Sequence, residues 1–310
     1  MEKYDVNQEL RILKPLRFTK YTNTRRFFAN LVFRLSMFLT KPKKGICERR
    51  FIFYGYLHQK VRLSVYELKN QEGKAPGLLY IHGGGFQIQG TPVHERLIAN
   101  IIRETKHKAV YVNYHLSPKY PFPTALEDCY HALLWMKEHA DFLGIDTSEL
   151  AVAGDSAGGN LATGVALLAR DRKGPHIHKQ MLLYPVLDVK QQTESMKAYY
   201  DAPMWNASLN KSMWEIYLKN GDFGMLEYAS PSLADVTGLP ETYIETADYD
   251  CLRDEGILYA KRLKEAGIKV IEHHTKNTVH GYDAVFYSQL VKNLTKQRIA
   301  FLRSKHNEKD

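Results

Sequence analysis

Short apolar runs alternate with longer stretches of helical character over residues 77–273, and this alternation constrains the fold more than any other feature of the chain. The runs are four to six residues long and are bounded by Gly, Pro and Asp, which is typical of buried strands. Apolar strands that alternate with helices predict a mostly parallel sheet with helices on both faces. The sequence therefore predicts the α/β class, with strands at 77–81, 109–114, 150–153, 181–186, 242–246 and 269–273 and helices at 95–105, 123–139, 159–170 and 255–266.

Two segments fall outside the alternation. Residues 49–57 and 60–68 are rich in Phe, Ile, Tyr and Val and are separated by a short polar break, which predicts an antiparallel hairpin. Residues 190–236 have no clear strand pattern but carry many aromatic and Met side chains. They predict either a cap over a pocket or ordinary helix packing. These side chains are Tyr199, Tyr200, Met204, Trp205, Met213, Trp214, Tyr217 and Phe223.

The net charge of +9 is concentrated at the N-terminus. Residues 1–50 hold 13 Lys and Arg against 4 Asp and Glu, so the remaining 260 residues carry 30 basic and 30 acidic side chains. No nucleic-acid partner is expected, because a nucleic-acid-binding face would spread basic charge over the body of the protein. A basic N-terminal segment is compatible with a solvated helix face, an acidic partner or a membrane surface.

The longest apolar stretch, residues 27–39, is 13 residues long and is interrupted by Arg34. A helix that spans a bilayer needs about 20 apolar residues, so this stretch predicts a buried or interfacial helix instead. We expect its apolar side chains to face the aromatic segment at 199–223 and to close a pocket from above, with Arg34 reaching solvent. Residues 1–10 are polar and mixed in charge, which argues against a secretory signal.

The three cysteines of the chain, Cys47, Cys129 and Cys251, lie far apart in the sequence. Their odd number and the lack of C-x-x-C spacing argue against a disulfide framework and against a cysteine zinc site. A cytoplasmic location is therefore expected. The sequence does not fix the oligomeric state, and a dimer stays open.

A glycine-flanked serine is the strongest local signal for chemistry. Gly154-x-Ser156-x-Gly158 directly follows the predicted strand at 150–153 and precedes a helical stretch. In this setting the pattern predicts a nucleophile elbow, a tight turn that lifts the serine hydroxyl above the sheet. The alternative is a glycine-rich turn with an idle serine, because this pattern also occurs by chance.

Three glycines, Gly83 to Gly85, follow the predicted strand at 77–81. Unhindered backbone N–H groups at such a position can converge on a tetrahedral oxyanion, together with the N–H of the residue after the nucleophile. This predicts an oxyanion hole formed by Gly83, Gly84 and Ala157. A phosphate-binding loop is not supported, because the G-x-x-x-x-G-K-[ST] and dinucleotide-type G-x-G-x-x-G patterns are absent.

A serine nucleophile needs a base to remove its proton and a carboxylate to orient that base. In this architecture the acid and then the histidine follow the serine along the chain, each in a loop beyond a strand. The loop at 247–256 offers Asp248, Asp250 and Asp254 as acids, and the loop at 278–282 offers His280 as the base.

Four motifs occur in a fixed order: His82-Gly83-Gly84-Gly85-Phe86, Gly154-Asp155-Ser156-Ala157-Gly158-Gly159, Asp250-Cys251-Leu252-Arg253-Asp254-Glu255-Gly256 and His280-Gly281-Tyr282. Over about residues 77–282 the chain therefore resembles the hormone-sensitive lipase family of α/β-hydrolases, a group of carboxylesterases and lipases. The resemblance implies an α/β-hydrolase fold with a helical cap. It selects Asp250 as the acid, leaves Asp248 as the runner-up, and gives His82 a structural role. Asp254 is expected to cap the helix that follows it.

The expected function is that of a serine hydrolase acting on a small-molecule ester. Ser156, His280 and Asp250 would cleave carboxylic esters of short to medium acyl chain length through an acyl-enzyme, with no metal and no organic cofactor. Two alternatives stay open: a non-catalytic small-molecule receptor on the same fold, and a lipase acting at a membrane surface.

The resemblance also implies a division of the chain. Residues 1–43 are expected to form an N-terminal cap segment. Residues 44–310 are expected to form the α/β-hydrolase core, with a cap insertion at about 190–235.

Overall fold

All strands of the described chain belong to one sheet. The structure is a computed structural model that describes residues 3–20, 22–40 and 43–304. The eight strands are β1 (Ile46–Tyr54), β2 (Lys60–Leu68), β3 (Ala75–Ile81), β4 (Lys108–Asn113), β5 (Ile145–Asp155), β6 (Lys179–Leu183), β7 (Glu241–Tyr249) and β8 (Val270–Val279). Each of the six strands predicted after the hairpin overlaps one of β3 to β8.

Ten α-helices occur in the same residues: α1 (Asn23–Leu39), α2 (Pro92–Thr105), α3 (Thr124–Glu138), α4 (Ala140–Leu143), α5 (Ala157–Asp171), α6 (Glu194–Ala198), α7 (Ala207–Tyr217), α8 (Leu226–Ala229), α9 (Arg253–Glu265) and α10 (Gln289–Arg303). The four predicted helices overlap α2, α3, α5 and α9. Short 3-10 helices lie at Gln8–Leu13, Tyr56–His58, Pro231–Leu233 and Tyr282–Val285.

The sheet is antiparallel at one edge and parallel over the rest. Its strand order is β1-β2-β4-β3-β5-β6-β7-β8. β2 pairs antiparallel with β1 and with β4, whereas every pair from β4 to β8 is parallel. The predicted hairpin and the predicted α/β class are both confirmed.

Successive side chains of the central strands point into two separate cores, as the pleat of a strand requires. On β3, Leu79 and Ile81 belong to the core that includes residues of α3, α5 and α9. Leu78 and Tyr80 belong to the opposite core, under α2 and α10. Both faces of the sheet are therefore covered, which explains why its strands read as continuous apolar runs.

The insertion between β6 and β7 holds α6, α7, α8 and a 3-10 helix, and no strand. It is bonded to the N-terminal segment before α1. The Met204 N–H donates to the Leu16 carbonyl at 2.7 Å, and the Asn206 side chain donates to the Phe18 carbonyl at 2.8 Å. Residues 16–18 of the N-terminal segment therefore pack on the insertion.

Helix α1 does not face the insertion, so our expectation for residues 27–39 is wrong. The cause is a set of polar contacts that turn its other side inward. Arg26 donates to Gln87 Oε1 at 2.9 Å, and Asn30 donates to the Gln87 carbonyl and accepts from the Gln89 N–H, both at 2.9 Å. The apolar side chains left exposed are Phe27, Phe28, Val32, Leu35 and Leu39.

Within the three described ranges, no helix combines the length and the apolar character needed to cross a membrane. Helix α1 has 17 residues and contains two arginines in its first turn besides Arg34.

A buried ion-pair network joins the C-terminal helix to the sheet. The Arg298 side chain on α10 is fully buried and contacts Glu245 on β7, with Nε at 2.9 Å from Oε1. The same guanidinium lies 3.1 Å from Asp283. Asp283 in turn accepts a hydrogen bond from Tyr184. Three charged side chains thus pair with one another in a place that is largely shielded from solvent.

Replacing Arg298 with Met should lower the free energy of unfolding by about 3–5 kcal/mol, because the substitution leaves buried carboxylates without their counter-ion. Lys296→Met is the matched control, since Lys296 is exposed on the same helix. The control should change the free energy of unfolding by about 0.5 kcal/mol or less. Urea unfolding followed by tryptophan fluorescence measures both variants. An equal decrease in the free energy of unfolding of the two variants would contradict a stabilising role of the buried network.

Candidate active site

Ser156 occupies the turn between β5 and α5, with φ 56° and ψ −121°. This left-handed backbone is costly for a residue other than glycine and needs a tight surrounding to hold it. The positions two residues before and two residues after Ser156 must be glycine, because a side chain would not fit there. A Cβ on Gly154 would lie 2.2 Å from the Gly158 carbonyl oxygen, and one on Gly158 would lie 2.1 Å from the Ile81 carbonyl oxygen.

The structure brings Ser156, His280 and Asp250 together from three separate loops. Ser156 Oγ lies 2.9 Å from His280 Nε2, and His280 Nδ1 lies 2.7 Å from Asp250 Oδ2. The other carboxylate oxygen, Asp250 Oδ1, accepts the Leu252 N–H at 3.0 Å. All three side chains are buried. The imidazole can therefore accept the serine proton on one nitrogen while the carboxylate fixes the proton on the other.

The other two acids of the loop have different partners. Asp248 Oδ1 lies 3.4 Å from His274 Nε2, and its Oδ2 accepts the Asn277 N–H at 3.1 Å. Asp254 lies in the first turn of α9, whose N-cap is Leu252, and accepts the Ser195 N–H at 2.7 Å. The expected capping role of Asp254 is therefore wrong, and neither acid contacts His280.

The glycine loop differs from the prediction in one residue. The Gly83 N–H donates to Asp155 Oδ2 at 3.2 Å, so it is engaged away from the serine. In the described part of the chain no acceptor bonds the N–H of Gly84 or Gly85, and both glycines have positive φ and line the pocket with Ser156. Ala157 is the first residue of α5, where a helix leaves its N–H groups unsatisfied.

Asp155 holds the glycine loop against the elbow. Besides the Gly83 N–H, it accepts from the Tyr80 hydroxyl at 3.0 Å and contacts His94 Nε2 at 3.3 Å. Burial disfavours the charge on Asp155 and on His94, but the attraction between them outweighs it. As a result the pKa of Asp155 is lowered and the pKa of His94 is raised.

His82 is neutral and structural, as the resemblance implies. Burial, with a contribution from His94, lowers the pKa of His82 to about 4. Its Nδ1–H donates to the Gly83 carbonyl at 2.7 Å, and its ring stacks on Tyr114 with 4.4 Å between the ring centroids. These contacts hold the start of the glycine loop in place.

A small pocket of about 190 Å³ opens onto the serine. Three residues of its lining, Tyr184, Gln87 and Ile88, were not identified from the sequence. They belong to none of the motifs, and only the folded structure places them beside Ser156. The Tyr184 ring contacts the His280 ring edge to face at 4.8 Å between centroids. The full lining is Gly84, Gly85, Gln87, Ile88, Asp155, Ser156, Tyr184, Met204, Trp205, His280 and Gly281.

A family model described as alpha/beta hydrolase fold matches residues 78–284, which is about two thirds of the chain. The chain belongs to the α/β-hydrolase family. The sequence-based resemblance is therefore confirmed, and the matched range contains every residue of the site described above.

Several named relatives of this α/β-hydrolase are esterases. It is similar to the carboxylesterase NlhH of Mycobacterium tuberculosis, with 37% identity over 245 residues that cover 78% of this chain and 76% of the relative. It is also similar to the esterase LipI of the same organism, with 39% identity over 68% of this chain and 67% of the relative. A solved structure titled bacterial heroin esterase superposes with a TM-score of 0.88 and 34% identity, covering 96% of this chain and 97% of that one.

Among the residues that the structure describes, no group of three or more His, Cys, Asp and Glu side chains is arranged to hold a metal ion.

The raised pKa of His94 predicts a pH-dependent contribution to stability. A histidine whose pKa rises on folding stabilises the fold below its unfolded pKa of about 6.5, and this contribution is lost as the pH rises through the folded value. Asp155, with its lowered pKa, stays charged over the same range. His94→Gln should therefore cost more free energy of unfolding at about pH 5.5 than at about pH 8.5. Urea unfolding of wild type and variant at both pH values measures the difference, and an equal cost would refute the ion pair.

Proposed function

We propose that this α/β-hydrolase is a carboxylesterase that uses Ser156 as its nucleophile. The single observation that carries the proposal is the hydrogen-bonded chain from Ser156 Oγ through His280 to Asp250, beside a loop with unengaged N–H groups. The relatives named esterase and carboxylesterase support the same reaction.

In the acylation step, Ser156 Oγ attacks the ester carbonyl carbon while His280 Nε2 takes the hydroxyl proton. The negative charge that develops on the carbonyl oxygen is stabilised by backbone N–H groups. We assign these donors to Gly84, Gly85 and Ala157, replacing the Gly83 of the sequence-based prediction. Collapse of the tetrahedral intermediate expels the alcohol, which takes the proton from His280, and leaves the acyl group on Ser156.

In the deacylation step, water attacks the acyl carbon and His280 accepts a proton from it. The carboxylic acid then leaves, and Ser156 recovers its proton from His280. Asp250 stabilises the imidazolium that forms in both steps and holds the imidazole in the tautomer that presents a free Nε2. The reaction consumes one water and balances without a cofactor.

The volume of the pocket favours a short acyl group. Pockets for drug-sized ligands have volumes of about 300–1,000 Å³, whereas this one measures about 190 Å³. Met204 and Trp205 form apolar walls that can bury a few methylene groups. Long acyl chains would have to extend out of the pocket mouth.

Three substitutions test the proposal when their effects on kcat are compared. Ser156→Ala should lower kcat for nitrophenyl acetate by about 10³-fold or more, and Asp250→Asn by about 10³ to 10⁴. Asp248→Asn is the matched control, because this carboxylate pairs with His274 instead. It should lower kcat by less than about tenfold. Near-wild-type turnover in Ser156→Ala, or the reverse ranking of the two Asn variants, would overturn the assignment.

Covalent labelling separates the enzyme from a non-catalytic receptor on the same fold. An activated serine reacts with a fluorophosphonate, so the wild type should be labelled and Ser156→Ala should not. A receptor would bind a small ester but would resist the reagent in both forms.

We further propose that residues 1–43 and the insertion at about 190–235 act as one cap on the core formed by the rest of 44–310. Two contacts support this division: the hydrogen bonds from Met204 and Asn206 to residues 16–18, and the place of Met204 and Trp205 in the pocket wall. The cap would then set which acyl chains fit.

Trp205→Leu should test the role of the cap in acyl selection. The substitution enlarges the pocket, so kcat/KM for nitrophenyl hexanoate relative to acetate should rise by about tenfold, the effect of roughly two additional buried methylene groups. Tyr200→Leu is the matched control, because this aromatic of the insertion is exposed and lies outside the pocket lining. An unchanged chain-length profile in Trp205→Leu would remove the insertion from substrate selection.

We also propose a cytoplasmic location. The three cysteines are free, and Cys129 and Cys251 are buried where a disulfide partner is absent from the described residues. Proteins kept in a reducing compartment have this pattern. Recovery of the protein from the culture medium of intact cells would contradict it.

A further inference from the structure

Helix α1 presents an apolar side to solvent. Five of the sixteen large apolar side chains that are exposed in the described residues lie on this 17-residue helix. Their exposed fractions run from 52% to 74%. A surface helix of a globular protein normally turns its apolar stripe toward the core, so this orientation is the reverse of the usual one.

The exposed side chains form one continuous stripe. Phe28, Val32, Leu35 and Leu39 recur at spacings of four, three and four residues, which places them on one side of the helix. Phe27 extends the same stripe at one border. At about 100° per residue, the stripe covers about 140° of the helix circumference. A face of this width is large enough to lie in an apolar layer.

Arginines border the stripe on both sides. At about 100° per residue, Arg34 lies about 20° beyond Phe27, and Arg25 lies about 20° beyond Val32 on the opposite border. Both arginines are exposed. Arginine side chains in these positions can extend along an apolar layer and put their charge at its polar boundary.

The charge of the sequence segment that contains the helix has a single sign. Residues 20–44 contain seven Lys and Arg and no Asp or Glu. Beyond residue 50 the chain carries as many acidic as basic side chains. The apolar stripe therefore lies in a strongly basic segment of the protein.

The other side of the helix is fixed to the body of the protein. Arg26 and Asn30 bond to Gln87 and Gln89, and Met37 packs against the core under α2 and α10. Gln87 also lines the pocket at Ser156. The stripe is thus held outward on a helix that is bonded to the loop of the active site.

We propose that the exposed side of α1 docks the protein on an anionic lipid surface. Phe27, Phe28, Val32, Leu35 and Leu39 enter the boundary between headgroups and acyl chains, and Arg25 and Arg34 meet lipid phosphates. The helix lies in the plane of the surface and does not span it. The proposal is independent of ester hydrolysis, because none of these side chains belongs to the candidate active site.

Charge complementarity selects lipid over a second copy of the chain. Two copies joined through this side by a twofold axis would bring the same basic face against itself, and like charges across an interface are unfavourable. An anionic surface satisfies both the apolar stripe and its basic borders.

Co-sedimentation with vesicles tests the docking surface. We expect wild type to bind vesicles of phosphatidylcholine with phosphatidylglycerol, and to bind vesicles of phosphatidylcholine alone about tenfold more weakly. The double variant Phe28→Ser, Leu35→Ser should lower binding to the anionic vesicles by about tenfold or more, since it removes two inserted side chains. Arg25→Gln with Arg34→Gln should remove most of the preference for phosphatidylglycerol.

Matched controls keep the test specific. Phe142→Ser with Leu258→Ser removes two equally exposed apolar side chains elsewhere and should bind as wild type does. Ser156→Ala should also bind as wild type, so a failure of the esterase assignment would leave this result intact. Circular dichroism melts of every variant establish that the fold is kept.

Three outcomes would overturn the proposal. The first is a wild type that does not bind the anionic vesicles. The second is an equal loss of binding in the Phe142 and Leu258 control. The third is a dimer in analytical ultracentrifugation that the Phe28 and Leu35 variant dissociates, without vesicle binding by the wild type, which would assign the stripe to a second copy.

Discussion

The backbone turn at Ser156 is the constraint on which the site depends. A left-handed conformation at a residue with a side chain costs about 1–3 kcal/mol and persists only where the surroundings enforce it. Here the Ser156 N–H donates to the Leu183 carbonyl at 2.8 Å, and the Ser156 carbonyl accepts the Val186 N–H at 3.1 Å. The turn is therefore hydrogen-bonded to the last residue of β6 and to the loop that follows this strand, in the middle of the sheet.

The same turn brings the glycine loop and the elbow into contact. The lack of a side chain at Gly158 lets the Ile81 carbonyl approach, and Asp155 reaches across to the Gly83 N–H. With Gly83 engaged in this way, the next two N–H groups are left for the pocket. The rigid core of parallel strands thus fixes the relative position of nucleophile and oxyanion donors, whereas the insertion adds Met204 and Trp205 as apolar walls of the pocket.

Much of this arrangement follows from sequence patterns that have a direct physical meaning. Apolar runs flanked by turn residues gave the positions of β3 to β8, and the spacing around Ser156 indicated a turn that only small neighbours permit. The order of acid and histidine after the serine indicated the loops at 247–256 and 278–282. The resemblance to the hormone-sensitive lipase family then selected Asp250 over Asp248. The interaction of Asp250 with His280, with Asp248 bonded elsewhere, depends on the loop conformation and needed the structure.

Three other features of the structure could not be predicted from the sequence. Three consecutive glycines look alike in the sequence, and only the backbone conformation decides which N–H faces the serine. The apolar pattern of α1 identifies an amphipathic helix but not the side that meets the protein, which two polar contacts to Gln87 decide. Tyr184 reaches His280 through a contact between residues 96 positions apart, which no local pattern encodes.

Trapping of the acyl-enzyme tests the central claim most directly. Wild-type protein would be mixed with nitrophenyl acetate, quenched in acid during turnover, and digested for peptide mass spectrometry. The Ser-His-Asp assignment predicts one acetyl group per chain, carried by Ser156, together with a burst of nitrophenol of about the same stoichiometry. Acetyl on another residue such as Cys47, or turnover with neither a burst nor an acetylated Ser156 peptide under any quench time, would contradict it.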